Sequence, residues 1–180
     1  MSDRTLMTAK EMGRTMERLA SEVFERRGEE GRLVLVGIQR RGVDLARRLK
    51  TLLDARLQNP VLLGMLDINL YRDDWTNPGM SPIISSTEIP AEVDGASVVL
   101  VDDVLYSGRT TRAALEAILD FGRPRRVELL VLIDRGHREL PIQADYVGKK
   151  VNTASTEQVD VLVAERDEQD RVLLRAKPSA

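Results

Sequence analysis

Apolar positions along the chain keep changing period, and each change marks a new element. The first is helical: Thr8 with Glu11 three residues on makes a capping-box start, Met12, Met16, Leu19, Ala20 and Val23 recur on one face, and Gly28 stops it. Leu33 to Ile38 is continuously apolar, which predicts a strand buried on both faces. A polar turn, Gln39-Arg40-Arg41-Gly42, leads into a helix that carries Leu45, Leu49, Leu52 and Leu53 inward. Pro60 breaks that pattern. Val61 to Leu70 predicts a strand that ends in alternation, with Asp67 and Asn69 opposite Leu66, Ile68 and Leu70. No period survives from Tyr71 to about Pro90. Val98 to Val101 then predicts a buried strand closed by Asp102-Asp103, followed by a Gly/Ser/Thr loop. Arg112 to Phe121 reads as a helix with Leu115, Ile118 and Leu119 on one face, stopped by Gly122 and Pro124. Val127 to Ile133 is another buried strand, and Asp145 to Val151 a short strand and turn. Gln158 to Val163 and Arg171 to Arg175 form a hairpin around the charged turn Glu165 to Asp170.

Strands alternating with helices predict an α/β fold, a doubly wound and mostly parallel sheet flanked by helices, ending in a small hood and a β-hairpin. Residues 1–180 read as a single domain, with a flexible lid at about 71–90, because a loop that long inside a compact domain usually serves a site. Ligands of such sheets sit beyond the carboxyl ends of the strands. Three strand ends here carry polar chemistry: Gln39-Arg40-Arg41-Gly42, Asp102-Asp103 and Asp134-Arg135.

Composition narrows the possibilities. At 180 residues, 42% hydrophobic and 31% charged, the chain is ordinary for a globular protein with a full core. It has no cysteine, which excludes disulfides, thiolate catalysis and a Cys-based zinc site. Neither a long apolar span nor a signal-like start is present, so a cytoplasmic, non-membrane location is expected. A net charge of −2 gives no global attraction to nucleic acid, and RNA binding would need a local basic patch.

The stretch from Val98 to Thr110 holds the most specific chemistry. Strand, acidic pair, hydroxyl-and-glycine loop and helix form a plan for gripping a phosphorylated sugar. The loop amides and helix start face an anion, and the carboxylates accept from sugar hydroxyls. Val98, Val99, Leu100, Val101, Asp102, Asp103, Val104, Leu105, Tyr106, Ser107, Gly108, Arg109 and Thr110 resemble, as a string, the phosphoribosyl-pyrophosphate (PRPP) motif of type I phosphoribosyltransferases. The reading places the 5′-phosphate on Leu105 to Thr110, with help from Ser107, Thr110 and Thr111. Asp102 and Asp103 face the ribose and the positive charge that builds at its anomeric carbon. Arg40, Arg41 and Gly42 take the pyrophosphate, since arginine's fork matches phosphate oxygens. Arg72, on the lid, completes the catalytic set with Asp102 and Asp103 by reaching pyrophosphate while the lid excludes water. Mg²⁺ is the expected cofactor, bound mainly through PRPP, with Asp134 as a contact through water. His137, the lone histidine, is assigned no catalytic role.

Val36 to Gly42, Asp67 to Asp74, Val101 to Thr110 and above all Asp134-Arg135-Gly136-His137-Arg138-Glu139-Leu140-Pro141-Ile142 together resemble the PyrR family, over roughly Thr8 to Leu174. That family comprises bacterial pyrimidine-operon regulators that also act as uracil phosphoribosyltransferases. The resemblance implies a type I phosphoribosyltransferase fold, conversion of uracil and PRPP to UMP and pyrophosphate, and uracil recognition around Arg135 and Val151. It also implies binding of a pyrimidine-operon mRNA leader in the presence of UMP or UTP, and assembly as a homodimer or higher homo-oligomer. A plain salvage enzyme without an RNA role is the alternative. Basic residues offered to RNA are Arg18 and Arg26 of the first helix, with Arg14 nearby, and His137, Arg138, Lys149 and Lys150. The chain departs from the family in two places. The first helix reads Glu17-Arg18-Leu19-Ala20-Ser21 where RNA-binding members show Thr-Arg-x-x-His, and Asn152 stands in place of a common proline.

Overall fold

The computed structural model describes residues 3–29, 31–71 and 86–177. Five strands form a parallel sheet in the order β3-β2-β4-β5-β6: β2 (Leu33–Ile38), β3 (Leu62–Leu66), β4 (Ser97–Leu105), β5 (Arg126–Asp134) and β6 (Tyr146–Lys150). Both faces are covered, which is why the strand sequences are apolar without interruption. On one face, Leu33, Leu35, Val99, Val101, Leu130 and Leu132 pack with α1 (Ala9–Arg27) and α2 (Arg41–Asp54). On the other, Val34, Val36, Val98, Leu100, Leu129 and Val131 pack with α3 (Arg109–Leu119). The period-two alternation of the pleat thus sorts each strand's residues between two cores.

The first helix forms as its sequence predicts. Thr8 Oγ1 accepts from the Glu11 N–H, the Glu11 carboxylate accepts from the Thr8 N–H, and Met12, Met16, Leu19, Ala20 and Val23 are buried. Three expectations change. The strand after Pro60 ends at Leu66 rather than Leu70, because Asp67 is buried and its carboxylate accepts from the Asn69 N–H, turning the chain into a 3-10 turn at Asn69–Tyr71. The strand of the acidic pair does not close at Asp102-Asp103 but runs on to Leu105, because its ladder with β5 continues through Asp102, Val104 and Leu105 opposite Val131, Ile133 and Asp134. Finally, α3 starts at Arg109 rather than Arg112 and buries Thr111, Ala113, Ala114, Ala117 and Ile118, leaving Leu119 57% exposed. Three small alanines make most of that contact, with Ile118 buried among them and Leu115 packed at its margin, so the helix lies close to the sheet.

The C-terminal hairpin, β7 (Glu157–Leu162) and β8 (Arg171–Ala176), gains a strand the sequence did not reveal, β1 (Arg4–Met7). Arg4 pairs with Leu174, giving an antiparallel sheet in the order β1-β8-β7. Val161, Val163, Val172 and Met7 seat this sheet on the core shared by α1 and α2. Within the hairpin turn a short helix, α4 (Ala164–Asp167), docks on α2 by charge alone. Arg48 forks onto Glu165 and Asp170, Arg166 pairs with buried Asp44, and Arg41 pairs with Asp167.

One close approach sets the site's frame. A Cβ on Gly37 would lie 2.4 Å from Val43 Cα, and one on Gly42 would lie 2.3 Å from the Val101 carbonyl oxygen. The β2–α2 turn is thereby pressed against itself and against β4, backbone to backbone. Gly37→Ala is therefore expected to destabilise the fold by about 2–3 kcal/mol, since neither neighbour is a side chain able to swing away. Urea denaturation of the two proteins measures it, and an unchanged midpoint would mean the turn has slack that these distances do not allow.

Candidate active site

Adjacent strands β2 and β4 send their crossovers to opposite faces, α2 to one and α3 to the other. A crevice opens between two such strands at their carboxyl ends, and there α2 and α3 both present their N-termini. Sequence reading placed Arg40, Arg41 and Gly42 at the end of β2 and Asp102 with Asp103 on β4. The fold brings both sets to this one crevice, with Gly42 against Val101.

Asp102 is buried, only 8% exposed, and Asp103 beside it is half-buried. Each carboxylate accepts from the next backbone N–H, Asp102 Oδ1 from Asp103 at 2.9 Å and Asp103 Oδ1 from Val104 at 2.8 Å. Burial, reinforced by the neighbouring Asp103 charge, pushes the Asp102 carboxyl well above the ordinary 3.8. Burial raises Asp103 as well, against the opposing pull of hydrogen bonds and of Arg41. The site is therefore electrostatically strained in favour of a cation or a set of hydroxyl donors.

Arg40 is exposed, whereas Arg41 is half-buried and directed at Asp167. Val98 to Val101 are wholly buried within β4 and cannot touch a ligand with their side chains. Leu105 is also buried, and Val104 partly so. The surfaces left for a ligand in this string are the carboxylates and the loop Tyr106-Ser107-Gly108, together with Thr110 in the first turn of α3. Gly108, at φ +92, caps α3 in the left-handed region and brings no capping side chain of its own, while the Arg109 N–H donates to Ser107 Oγ at 3.3 Å.

The segment leaving β5 holds this loop in place. The Ser107 carbonyl accepts from Glu139 and Leu140, and the Leu105 carbonyl accepts from the Arg135 N–H. Arg138 donates to the carbonyls of Tyr106, Gly136 and Ile142 and pairs with Asp134 at 2.7 Å, while Arg109 pairs with Glu139. Arg138 thus acts as a clamp within the fold, with its guanidinium turned inward rather than offered to RNA. Asp134 spends one oxygen on Arg138 and the other on the Gly136 N–H.

Arg135 is 5% exposed and has no carboxylate partner among the described residues. Its Nε donates to Thr153 Oγ1, its Nη2 to the carbonyls of Ala154 and Glu157, and the guanidinium lies 4.3 Å over the Tyr106 ring. Nη1 makes no hydrogen bond among the described residues. Val151 donates its N–H to the Asp134 carbonyl, which draws the chain after β6 over the crevice beside Arg135. His137, at φ +60, meets the Thr153 carbonyl through Nε2 at 2.6 Å.

The basic residues marked for RNA are not all alike. Arg18 donates to the carbonyls of Val147 and Gly148, Arg26 to that of Asp145, and Lys149 to that of Leu6. The two arginines cover the open edge of β6, a position that would otherwise expose a strand ready to pair. Ser21 accepts from Arg56 and donates to the Glu17 carbonyl. Arg14 and Lys150 are exposed. Arg72 and most of the lid, residues 72–85, lie outside the described residues. The returning limb is pinned to β3, where Glu88 and Met65 exchange N–H···O bonds of 2.8 Å and Thr87 Oγ1 accepts from Asp67. Among the described residues no cluster of three metal-ligating side chains occurs, and no helix is long and apolar enough to cross a membrane.

Sequence reasoning did not single out Asp167, or Thr153 and Tyr106 as partners of Arg135. No local signal marks them, since each acts across more than fifteen residues of chain.

Comparison with known proteins agrees with this arrangement. The phosphoribosyl transferase domain model matches residues 4–166. Curated relatives called bifunctional protein PyrR include that of Syntrophobacter fumaroxidans, 48% identical over 98% of this chain and 95% of its own. That of Pelotomaculum thermopropionicum is 55% identical over 89% of each chain, and that of Thermus aquaticus 53% over 97% of each. Among solved structures, a hypoxanthine phosphoribosyltransferase from Trypanosoma cruzi in complex with the product IMP superposes with a TM-score of 0.73 at 21% identity, covering 95% of this chain and 93% of its own. A hypoxanthine-guanine phosphoribosyltransferase from Bacillus anthracis gives 0.69 at 18% identity over 98% and 99%. At those identities the purine enzymes share the fold alone. With its parallel α/β sheet, its acidic pair at a strand end, the domain match over residues 4–166 and relatives about 50% identical over nearly their whole length, this chain belongs to the PyrR family of phosphoribosyltransferase-fold bifunctional proteins.

Proposed function

We infer that this chain is a uracil phosphoribosyltransferase that also regulates pyrimidine-operon expression by binding mRNA in response to uridine nucleotides. The observation that carries the enzymatic half is the crevice itself, which sets an acidic pair with raised carboxyl pKa between two helix N-termini. A phosphorylated sugar with a pyrophosphate leaving group matches it part for part. Its 5′-phosphate meets the amides of Tyr106 to Arg109 and the hydroxyls of Ser107 and Thr110. The ribose hydroxyls donate to Asp102 and Asp103. The pyrophosphate meets Arg40, Arg41 and the start of α2. As the bond to pyrophosphate lengthens, positive charge grows on the anomeric carbon, and a pair of carboxylates already fixed by backbone N–H groups stabilises it without reorganising.

Magnesium fits this donor set, since it binds through ligand phosphates and waters with at most one or two carboxylates. Asp102 and Asp103 are the carboxylates free to face it, and Asp134 could join only through water, its oxygens being engaged by Arg138 and Gly136. When bound, the ion would neutralise charge on the departing pyrophosphate. Uracil is read by Arg135, whose Nη1 is left for a carbonyl oxygen, and by the backbone around Val151. A lid including Arg72 closes the site against water.

For regulation, Lys150 at the β6 exit and Arg14 on α1 remain exposed cations for RNA phosphates, with exposed His137 beside them as a hydrogen-bonding group and UMP or UTP in the crevice setting the pose of the segment that carries it. Leu119 and Phe121, 57% and 46% exposed at the end of α3, suit burial in a homodimer or higher homo-oligomer. The cytoplasm, where PRPP and mRNA are made, is the compartment this role requires.

Pyrophosphate release with PRPP and Mg²⁺ is expected with uracil and not with guanine or hypoxanthine, and purine-dependent release with uracil silent would overturn the base assignment. A gel shift on the chain's own operon leader is expected only with UMP or UTP present, and to weaken in Lys150→Ala. No shift under either condition would leave a salvage enzyme alone, and an equal shift with and without nucleotide would overturn the nucleotide dependence. The acidic pair predicts an opposition between stability and activity. Its folded-state pKa is raised, so the folded protein holds a proton the unfolded chain releases, and stability falls as pH rises from the ordinary carboxylate value through the raised one. Asp102→Asn keeps an oxygen for the Asp103 N–H but carries no charge. Its melting temperature without ligand should exceed wild type near about pH 8 and converge with it near about pH 4, while turnover drops about 100-fold. A variant less stable than wild type at the higher pH would remove the strain from the account.

A further inference from the structure

We propose that Asp167 is a positioning residue for Arg41, fixing one edge of its guanidinium so that the remaining N–H groups meet pyrophosphate. The proposal rests on the reading of Arg41 given above. Arg41 opens α2 at the carboxyl end of β2, on a side chain long enough to swing through solvent. It does not swing here. Its Nε donates to Asp167 Oδ2 at 3.3 Å and its Nη2 to Asp167 Oδ1 at 3.1 Å, a fork-on-fork arrangement that leaves Nη1 open. Asp167 is itself held, since its Oδ2 accepts from the Val163 N–H at 2.9 Å across the hairpin turn.

The turn in turn is docked on α2 by the rungs beyond it, Arg166 on Asp44 and Arg48 on Glu165 and Asp170. These rungs lie along α2 at Arg41, Asp44 and Arg48, the helical spacing that puts all three side chains on one face. The outer rungs explain why the hairpin sits where it does. They leave the innermost, at the mouth of the crevice, as the one whose partner is a candidate ligand for the leaving group. A carboxylate that grips one edge of an arginine removes its rotameric freedom before the ligand arrives, and a ligand then loses less entropy on binding.

The alternative role for the same contact is a latch that pyrophosphate must break, and the two differ in sign. In Asp167→Asn the Val163 N–H keeps its acceptor while the charge facing Arg41 goes. Inhibition by inorganic pyrophosphate and KM for PRPP are measured beside KM for uracil in the full chain, with Glu165→Gln as a variant that loosens the docking without touching Arg41. The expected result is about five- to tenfold weaker pyrophosphate and PRPP binding in Asp167→Asn, with KM for uracil within about twofold and Glu165→Gln close to wild type. Unchanged or tighter pyrophosphate binding in Asp167→Asn, an equal loss for uracil, or an equal loss in Glu165→Gln would each overturn the positioning role. Arg41→Ala separates the two levels. If it too leaves pyrophosphate binding unchanged, the assignment of Arg41 fails with the proposal, whereas a loss there without one in Asp167→Asn overturns only Asp167.

Discussion

Two neighbouring parallel strands whose chains leave on opposite faces cannot have their ends covered by either helix, and the rest of this molecule is arranged around that gap. Between β2 and β4 the crossovers diverge, α2 to one face and α3 to the other, so two helix N-termini and two sets of strand-end side chains share one crevice. The contact that makes the crevice narrow is between backbones. Gly42 lies on the Val101 carbonyl, and any side chain at that position would push α2 away from β4 and separate Arg41 from Asp103. Close packing here is a condition of the electrostatics.

The electrostatics in turn are unfavourable without a ligand. Asp102 is buried beside half-buried Asp103, and among the described residues backbone N–H groups and Arg41 offset their charge. Stability must come from elsewhere, and the structure supplies it from both faces of the sheet and from a separately docked small sheet. Cationic groups near the crevice show the same division. Arg138 and Arg48 are fully engaged in holding loops and hairpin, while Arg135 and Arg41 each keep an Nη1 with no partner among the described residues. That difference separates structural arginines from those available to a ligand better than position in the sequence does.

The Asp134 to Ile142 string illustrates how a family signature and a physical role can differ. As a motif it carries much of the resemblance to the PyrR family. In the fold it is the brace of the loop after β4, meeting Leu105, Tyr106, Ser107, Gly108 and Arg109 in turn. The Arg135 guanidinium rests on the Tyr106 ring, so the segment leaving β5 and the loop after β4 are joined by a side-chain contact as well as by backbone.

Hydrophobic period by itself determined the two-layered α/β plan, the buried strands from Leu33, Val98 and Val127, the capped first helix and the C-terminal hairpin, because burial on two faces leaves a continuous apolar run that no local context can disguise. The acidic pair and the arginine turn were legible too, since their residue types are rare at strand ends. Other features depended on distant partners. β1 exists only because β8 lies beside it, some 170 residues away. The strand after Pro60 stops at Leu66 because Asp67 turns the chain, and α3 buries alanines because the sheet lies that close. Whether an arginine serves a ligand or a carbonyl was likewise decided only by tertiary structure, because a guanidinium's charge is written in the sequence but its hydrogen-bond partners are a matter of place.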